Sequence, residues 1–424
     1  MSTFVYGIDF GTSNSSVTIW DVERRTLVRD PRIADVEASF LYFPYSTRRE
    51  APVIGAQAKL RYVQDRMRGR LFQAIKTILP NRTFTETIVN NEPMSLEALV
   101  ALFLRHLKQR ADAVTGQDVR RVILGRPAVF SSDPEEDALA EQRVRRAAQL
   151  AGFEEIHFQL EPIAAGFAYE ARIDRPELVL VGDFGGGTSD FTLVRLDPAR
   201  QGRTNRAADI LATAGLSVAG NKYDSATMWH KLTPRFGRNA TYASWGKRLD
   251  VPTAMHRRIC QWDQIVFLNT AENLDLLRRL VHASDDPEGF RRLIALIREN
   301  QGFALFQRIE SAKITLTTAD DTRIAFQHPA IPVDEALSVS EFDHYTGELT
   351  QDILRTLDQM LRQAQVDPAH VEAVFLTGGT SLIRSLRSEF ARRFSPERLR
   401  GGGEFTSVAD GLALSAPLFF PDLP

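Results

Sequence analysis

The chain has 424 residues, with 52 Lys and Arg against 54 Asp and Glu and a formal net charge of −2. That length suits two lobes better than one core, and the near-zero charge gives no general case for a nucleic-acid or membrane surface. A single cysteine, Cys260, excludes an intrachain disulfide and points to a reducing compartment. With no signal-like opening and no apolar run near the ~20 residues that span a bilayer, the expected location is cytoplasmic.

Residues 4–9 and 16–20 are apolar around a Gly-Thr-Ser-Asn turn, which predicts a hairpin. Leu96, Leu99, Val100, Phe103, Leu104 and Leu107 recur at helical spacing and predict an amphipathic helix over 96–112. Val119 to Leu124 predicts a buried strand, Glu136 to Leu150 a helix closed by Gly152, and Glu155 to Gln159 another strand. Arg143, Arg145 and Arg146 on that helix read as a solvated face. A small-residue helix follows Glu161-Pro162. Leu178 to Asp183 is an apolar strand that turns through Phe184 to Asp190 and returns to Leu196. Further on, Ile265, Leu274, Leu277, Leu280 and Val281, then Leu293, Ile294, Leu296 and Ile297, follow helical spacing. Leu349 to Ala364 predicts a long helix. Val371 to Leu376 predicts a buried strand ending in Thr377-Gly378-Gly379-Thr380-Ser381. The tail from Leu418 to Pro424 shows no periodicity.

The chain repeats itself. Gly7-Ile8-Asp9-Phe10-Gly11-Thr12-Ser13 and Gly182-Asp183-Phe184-Gly185-Gly186-Gly187-Thr188-Ser189 share one plan: apolar strand, aspartate, aromatic, glycine, hydroxyl, second strand. Such copies suggest a duplicated lobe. Glycine-rich turns let backbone N–H groups converge on phosphate oxygens. Three glycines weaken a strand pair unless something must come close. Asp9 and Asp183, each at a strand end before such a turn, suit a Mg²⁺ that keeps most of its waters. Any one of these turns alone has an ordinary structural explanation; their joint order argues for a nucleotide.

At these residues the sequence resembles the sugar kinase, actin and heat-shock-chaperone superfamily. The phosphate-one block is similar to Asp9-Phe10-Gly11-Thr12-Ser13-Asn14 and phosphate-two to Asp183 through Asp190. The connecting block is similar to Glu161 through Tyr169, and the adenosine block to Leu376-Thr377-Gly378-Gly379-Thr380. Two further stretches favour the seventy-kilodalton heat-shock chaperone branch: Glu310-Ser311-Ala312-Lys313-Ile314-Thr315-Leu316-Thr317 and Ala219-Gly220-Asn221-Lys222-Tyr223-Asp224. The block order resembles a DnaK-like ATPase domain of the short YegD-type. The resemblance implies an α/β actin-like ATPase fold, ribonuclease H-like and duplicated, with two lobes each of two subdomains. The lobes would be 1–173, with an insert subdomain at about 37–112, and 174–424. The second lobe would have an enlarged subdomain at about 220–344 and a C-terminal helix of about 405–417 returning to the first.

The resemblance also implies ATP hydrolysis with ATP/ADP and Mg²⁺ as ligands, in a nucleotide-driven switch acting on an unidentified protein client or regulator. Asp9 and Asp183 would hold hydrated Mg²⁺. Gly11, Thr12, Ser13, Asn14 and Gly185, Gly186, Gly187 would contact phosphates. Lys76 would steady the γ-phosphate and the attacking water, Glu161 and Asp190 would orient waters, and Thr188 would lie beside the γ-phosphate. Gly220, Glu310, Lys313, Thr317, Gly378, Gly379 and Thr380 would bind the adenosine side. The sequence departs from the family where a stacking arginine is expected and Leu382 stands. It also departs at Ala219 in the second-lobe glycine turn, and in an extended segment over 225–305 that holds Trp229, Trp245 and Trp262. After Ser407 to Ala413 no further domain pattern is visible, so capture of extended peptides by a β-sandwich is not expected. Alternatives are a bacterial actin-like filament or partition ATPase, a small-molecule kinase, and a reactivating factor for another enzyme. The histidines show no metal-ligand spacing, and Cys260 reads as non-catalytic.

Overall fold

Two hairpins seed the two main sheets. The computed structural model describes residues 3–34, 36–45, 50–65, 67–127, 129–131, 133–170, 173–200, 206–400 and 408–421. The first sheet contains β1 (Phe4–Phe10), β2 (Asn14–Asp21), β3 (Thr26–Val28), β4 (Arg121–Arg126) and β5 (Glu155–Leu160), in the spatial order β5-β4-β1-β2-β3. The second contains β6 (Glu177–Phe184), β7 (Ser189–Leu196), β8 (Ile210–Leu216), β9 (Ala373–Thr377) and β10 (Leu399–Arg400), in the order β8-β7-β6-β9-β10. In each sheet three strands run antiparallel and the next two join in parallel. The internal sequence repeat is therefore a repeat of topology. The registers correspond as well: Asp9 lies opposite Ser16, and Asp183 opposite Asp190.

The chain divides into two compact units. One holds Met1–Ser217, Leu354–Ser381 and Ser388–Pro424, and so both main sheets; the other holds Val218–Ile353 and Leu382–Arg387. In the first unit the central strands β1 and β6 are almost wholly buried, as expected where helices cover a sheet. Tyr6, Ile8, Val17 and Leu124 pack with Leu99, Phe103 and Leu104 of α1 (Leu96–Thr115) and with Val144 and Ala147 of α2 (Pro134–Ala151). Ser95 caps α1 by accepting from the N–H of Ala98, and Gly116 ends it at φ 67°. Asp133 caps α2, Pro134 fills its first turn and Gly152 closes it. The opposite face of the first sheet packs against the helix Val408–Leu414, where the Gly7 backbone leaves no room for a side chain: a Cβ there would lie 2.4 Å from the Ala413 nitrogen. The second sheet packs Val179, Val181, Val194 and Phe375 against Ile163 and Phe167 of α3 (Glu161–Glu170).

Arg143 corrects the expectation of a uniformly solvated α2 face. It is buried and donates to backbone carbonyls, whereas Arg146 is exposed. The long helix expected from Leu349 begins at Val339. Its start is a capping box that hydropathy does not register: the Glu341 N–H donates to Ser338 Oγ, and the Ser338 N–H donates to Glu341 Oε2. A short helix, Ala416–Phe419, begins just ahead of the stretch read as an aperiodic tail and runs into it.

In the second unit the long segment after Gly220 forms its own small core. Helices Ala271–Ala283 and Pro287–Arg298 pack together and bury Leu274, Leu277, Leu280, Leu293, Leu296 and Ile297. Cys260 is buried there, and burial pushes its thiol up to about 12. Strands Thr241–Ser244 and Lys247–Asp250 make a hairpin that periodicity did not reveal. Its two-residue turn is Trp245-Gly246, with φ of 47° and 74°, and Trp245 is 100% exposed. Both turn residues have positive φ, which favours Asn at the first position. A left-handed non-glycine residue costs about 1 kcal/mol or more, and no burial offsets it here. Trp245→Asn is therefore expected to raise the chemical denaturation midpoint by about 1 kcal/mol of stability. A lowered midpoint would mean that the indole makes a stabilising contact within the fold.

Candidate functional site

The conserved plan of the two sheets brings their aspartates together in the first unit. Asp9 is the penultimate residue of β1 and Asp183 the penultimate residue of β6. Asp190 faces Asp183 across the β6–β7 ladder, and Thr377 faces it from β9. The Thr377 hydroxyl donates to Asp183 Oδ1 at 2.9 Å. Thr188 Oγ1 donates to Asp190 Oδ2 at 2.8 Å. Glu161 opens α3 immediately after β5. Lys76 stands on a one-turn helix, Ile75–Ile78, and its Nζ donates to Glu161 Oε1 at 2.8 Å. These two side chains are 12% and 13% exposed, so the pair is largely out of water.

Asp9, Asp183, Asp190 and Glu161 thus surround one ammonium group. Burial, reinforced by the charges of Glu161 and Asp183, pushes the Asp9 carboxyl up to about 7 against the opposing pull of Lys76. Burial also pushes Asp190 up to about 7, with Asp183 and Glu161 adding to it and the Thr188 hydrogen bond opposing it. Burial works against the charge on Lys76, but Glu161, Asp9 and Asp183 more than offset it and raise its pKa. The cluster sets four carboxyl groups against one ammonium. Among the described residues no three Asp, Glu, His or Cys side chains converge as a metal cage. Carboxylates are the hard oxygen donors that a hydrated Mg²⁺ takes.

The turns beside these carboxylates are braced by hydroxyls. The Gly11 N–H donates to Ser15 Oγ at 3.1 Å, and Ser39 Oγ donates to the Gly11 carbonyl at 2.9 Å. Thr12, Ser13 and Asn14 follow in a short connection that is not buried. In the second turn the Gly185 N–H donates to the Thr188 carbonyl at 3.0 Å. A Cβ on Gly187 would lie 3.4 Å from the Thr77 methyl and 3.6 Å from the Thr12 methyl, so the two turns and the Lys76 segment adjoin. Thr380 Oγ1 donates to the Gly185 carbonyl at 2.9 Å, which ties the Gly378-Gly379 turn to the same place. Gly378 has φ 79°, and a Cβ there would lie 2.1 Å from the Phe184 carbonyl, so only glycine fits.

The remaining expected residues lie in the second unit. Lys313 Nζ donates to Asp224 Oδ2 at 2.8 Å and to the Gly220 carbonyl at 3.2 Å. Glu310 and Lys313 share one face of the helix Gly302–Thr315, and Thr317 follows just past its end. Lys313 and Thr317 line a small cavity with Ile383 and Arg384. Arg384 is already committed, to the Thr317 carbonyl and to Asp320. Sequence alone assigns no role to Ser15 or Ser39, and it shows Thr377 and Asp224 only as members of family blocks, with no role of their own. Thr377 carried a usable signal, standing directly before the paired glycines; the serines and Asp224 act only through the fold.

The profile of the family described as Hsp70 protein matches residues 5–241 and 298–423. The chain belongs to the Hsp70 family. It is similar to the chaperone protein DnaK of Deinococcus deserti, at 22% identity over 90% of this chain and 54% of that protein. It is also similar to a chaperone protein HscA homolog of Azotobacter vinelandii, at 26% over 97% of this chain and 57% of the relative. Chaperone protein dnaK1 of Synechocystis matches at 24% over 97% of this chain and 54% of its own length. The chain thus spans about half the length of these curated relatives. The Hsp70 family has the actin-like ATPase fold, and its members are chaperone-family ATPases. The stretch outside the family match, 242–297, falls inside the segment read as an insertion, where most of the exposed hairpin and both packed helices lie. No helix among the described residues is long and apolar enough to cross a membrane.

Proposed function

We propose that this chain binds ATP with Mg²⁺ and hydrolyses it slowly, as a conformational switch acting on a protein partner. The observation that carries this is the convergence of Asp9, Asp183, Asp190 and Glu161 on Lys76, beside two glycine turns. Mg²⁺, when bound, would neutralise charge on the triphosphate and on these carboxylates. Asp9 and Asp183 would hold its water shell, with Thr377 fixing the Asp183 carboxylate. Backbone N–H groups of residues 11–14 and 185–187 would bind the phosphate oxygens. Lys76, held by Glu161, would lie on the γ-phosphate and its attacking water. Asp190, held by Thr188 Oγ1 at 2.8 Å, would orient that water together with Glu161. Little covalent chemistry is asked of the protein; positioning and electrostatics suffice. The direct test is phosphate release by the purified chain with ATP, with and without Mg²⁺. Equal release after chelation, or no ATP binding by calorimetry, would overturn the proposal.

Base recognition departs from the family pattern. Leu382 is 54% exposed where the resemblance expects a stacking arginine, and Ile314, one helical turn after Glu310, is 60% exposed. The adenine would then meet aliphatic carbon and no guanidinium. Leu382→Arg should tighten ATP by on the order of 1 kcal/mol if the cation reaches the ring face. Calorimetry showing weaker binding would place the base elsewhere.

The moving parts are proposed to be the lobes 1–173 and 174–424, since each carries one sheet and one aspartate. The partner would meet this ATPase region itself, and the Trp245 hairpin is the face we assign to it, because aromatic residues are enriched in interfaces. Trp245→Asn should lose partner capture on immobilised protein while ATP affinity stays unchanged. Capture that survives the substitution would reject that face.

A further inference from the structure

Arg143 is a buried guanidinium aimed at one loop. It stands on α2 and is 6% exposed. Its Nη1 donates to the carbonyls of Leu79 at 2.8 Å and Asn81 at 2.9 Å, and its Nη2 donates to that of Phe84 at 2.8 Å. The Nε lies 3.5 Å from Glu97 Oε1 on α1. One side chain thus collects three carbonyls from a segment with no regular structure beyond its opening turn.

That opening turn is Ile75–Ile78, which carries Lys76. The Leu79 N–H donates to the Lys76 carbonyl at 3.3 Å. Leu79 is therefore bonded to Lys76 on one side and to Arg143 on the other. The turn cannot hold itself well: it is a single 3₁₀ turn, entered through Ala74 at φ 55°, an unfavourable angle for a residue with a Cβ. A planar fork presents its donors from separate nitrogens in fixed directions, which suits three carbonyls spread along a loop. A lysine there could supply charge but not that geometry.

We propose that Arg143 is a positioning residue for Lys76, fixing the 75–84 segment so that the ammonium is delivered to the γ-phosphate side of the site. This rests on the role given to Lys76 in the proposed function. Loosening the segment misplaces Lys76 without removing any group that would touch ATP. The expected signature is a fall in kcat with ATP affinity retained, since misplacement of a reacting group by about 1 Å can cost on the order of 100-fold.

The test is a double-mutant cycle of Arg143→Lys and Lys76→Ala in the full chain, read by single-turnover hydrolysis and by calorimetric ATP affinity. Arg143→Lys alone should slow hydrolysis by on the order of tenfold, with ATP affinity within roughly twofold. In the Lys76→Ala background it should have no further effect, which a general loss of structure would not reproduce. Amide exchange should quicken over 75–84 while α2 stays protected. Arg143→Gln serves as a second variant should Arg143→Lys fold poorly. Hydrolysis at the parent rate in both Arg143 variants, or effects that multiply in the double variant, would overturn the positioning role. Lys76→Ala hydrolysing at the parent rate would overturn both this role and the assignment of Lys76 beneath it.

Discussion

Asp183→Ala is expected to abolish Mg²⁺-dependent ATP hydrolysis in a protein that stays folded. Asp183 is the point where the second sheet meets the site. It faces Asp190 on one side and accepts from Thr377 at 2.9 Å on the other. Removing it takes away one of the two carboxylates proposed to hold the hydrated ion, and the loss falls on the transition state, where phosphoryl charge is redistributed. The fold should survive, because Asp183 lies near the end of its strand and the apolar ladder of Leu178 to Val181 is untouched. Removing excess negative charge from beside Asp9 should even relieve repulsion in the absence of metal. Phosphate release and thermal unfolding measured on the same preparation decide the matter. Unchanged hydrolysis in a folded Asp183→Ala protein would remove the central assignment. A protein that no longer folds would show instead that the carboxylate is needed for structure.

Much of this arrangement was legible before any coordinates. The duplicated Asp-aromatic-Gly plan marked both hairpins because each is local, with strand, turn and return strand contiguous in sequence. Other contacts were not legible because they join distant segments. Lys76 was expected from the family resemblance of its segment, but its meeting with Glu161, across 85 residues, was not. Arg143 looked like its neighbours on a polar helix face; only the loop folded beneath it distinguishes it from Arg146. The 241–250 hairpin escaped for a physical reason: its second strand is exposed along its whole length, so no alternation of burial is imposed on it. The start of the long helix at Val339 was hidden because its signal is two reciprocal hydrogen bonds at Ser338 and Glu341, not hydropathy.

The largest stability effect is expected far from the carboxylate cluster, at Arg206→Leu. Arg206 and Glu170 are paired at 2.6 Å with side chains 2% and 0% exposed. A second bond from Arg206 Nη1 to Glu170 Oε2 at 2.9 Å makes the contact bidentate. Arg206 also meets Asp209, which in turn has Arg200 as a second cation. Removing Arg206 therefore leaves Asp209 a partner but leaves Glu170 a buried charge. The Asp197 N–H also donates to Glu170, at 2.8 Å, but does not neutralise it. Breaking a buried pair in this way costs about 3–5 kcal/mol, because the surviving ion keeps its desolvation penalty and loses its compensation. The double variant Arg206→Leu/Glu170→Leu removes both charges and should be more stable than Arg206→Leu alone, although it orphans the Asp197 N–H. Urea midpoints at constant m-value supply the comparison. A loss under about 1 kcal/mol for Arg206→Leu would mean that water reaches Glu170 as a surface pair would allow. A double variant less stable than the single one would mean that carboxylate packing and the Asp197 bond, not the charge pair, hold α3 to the loop after β7.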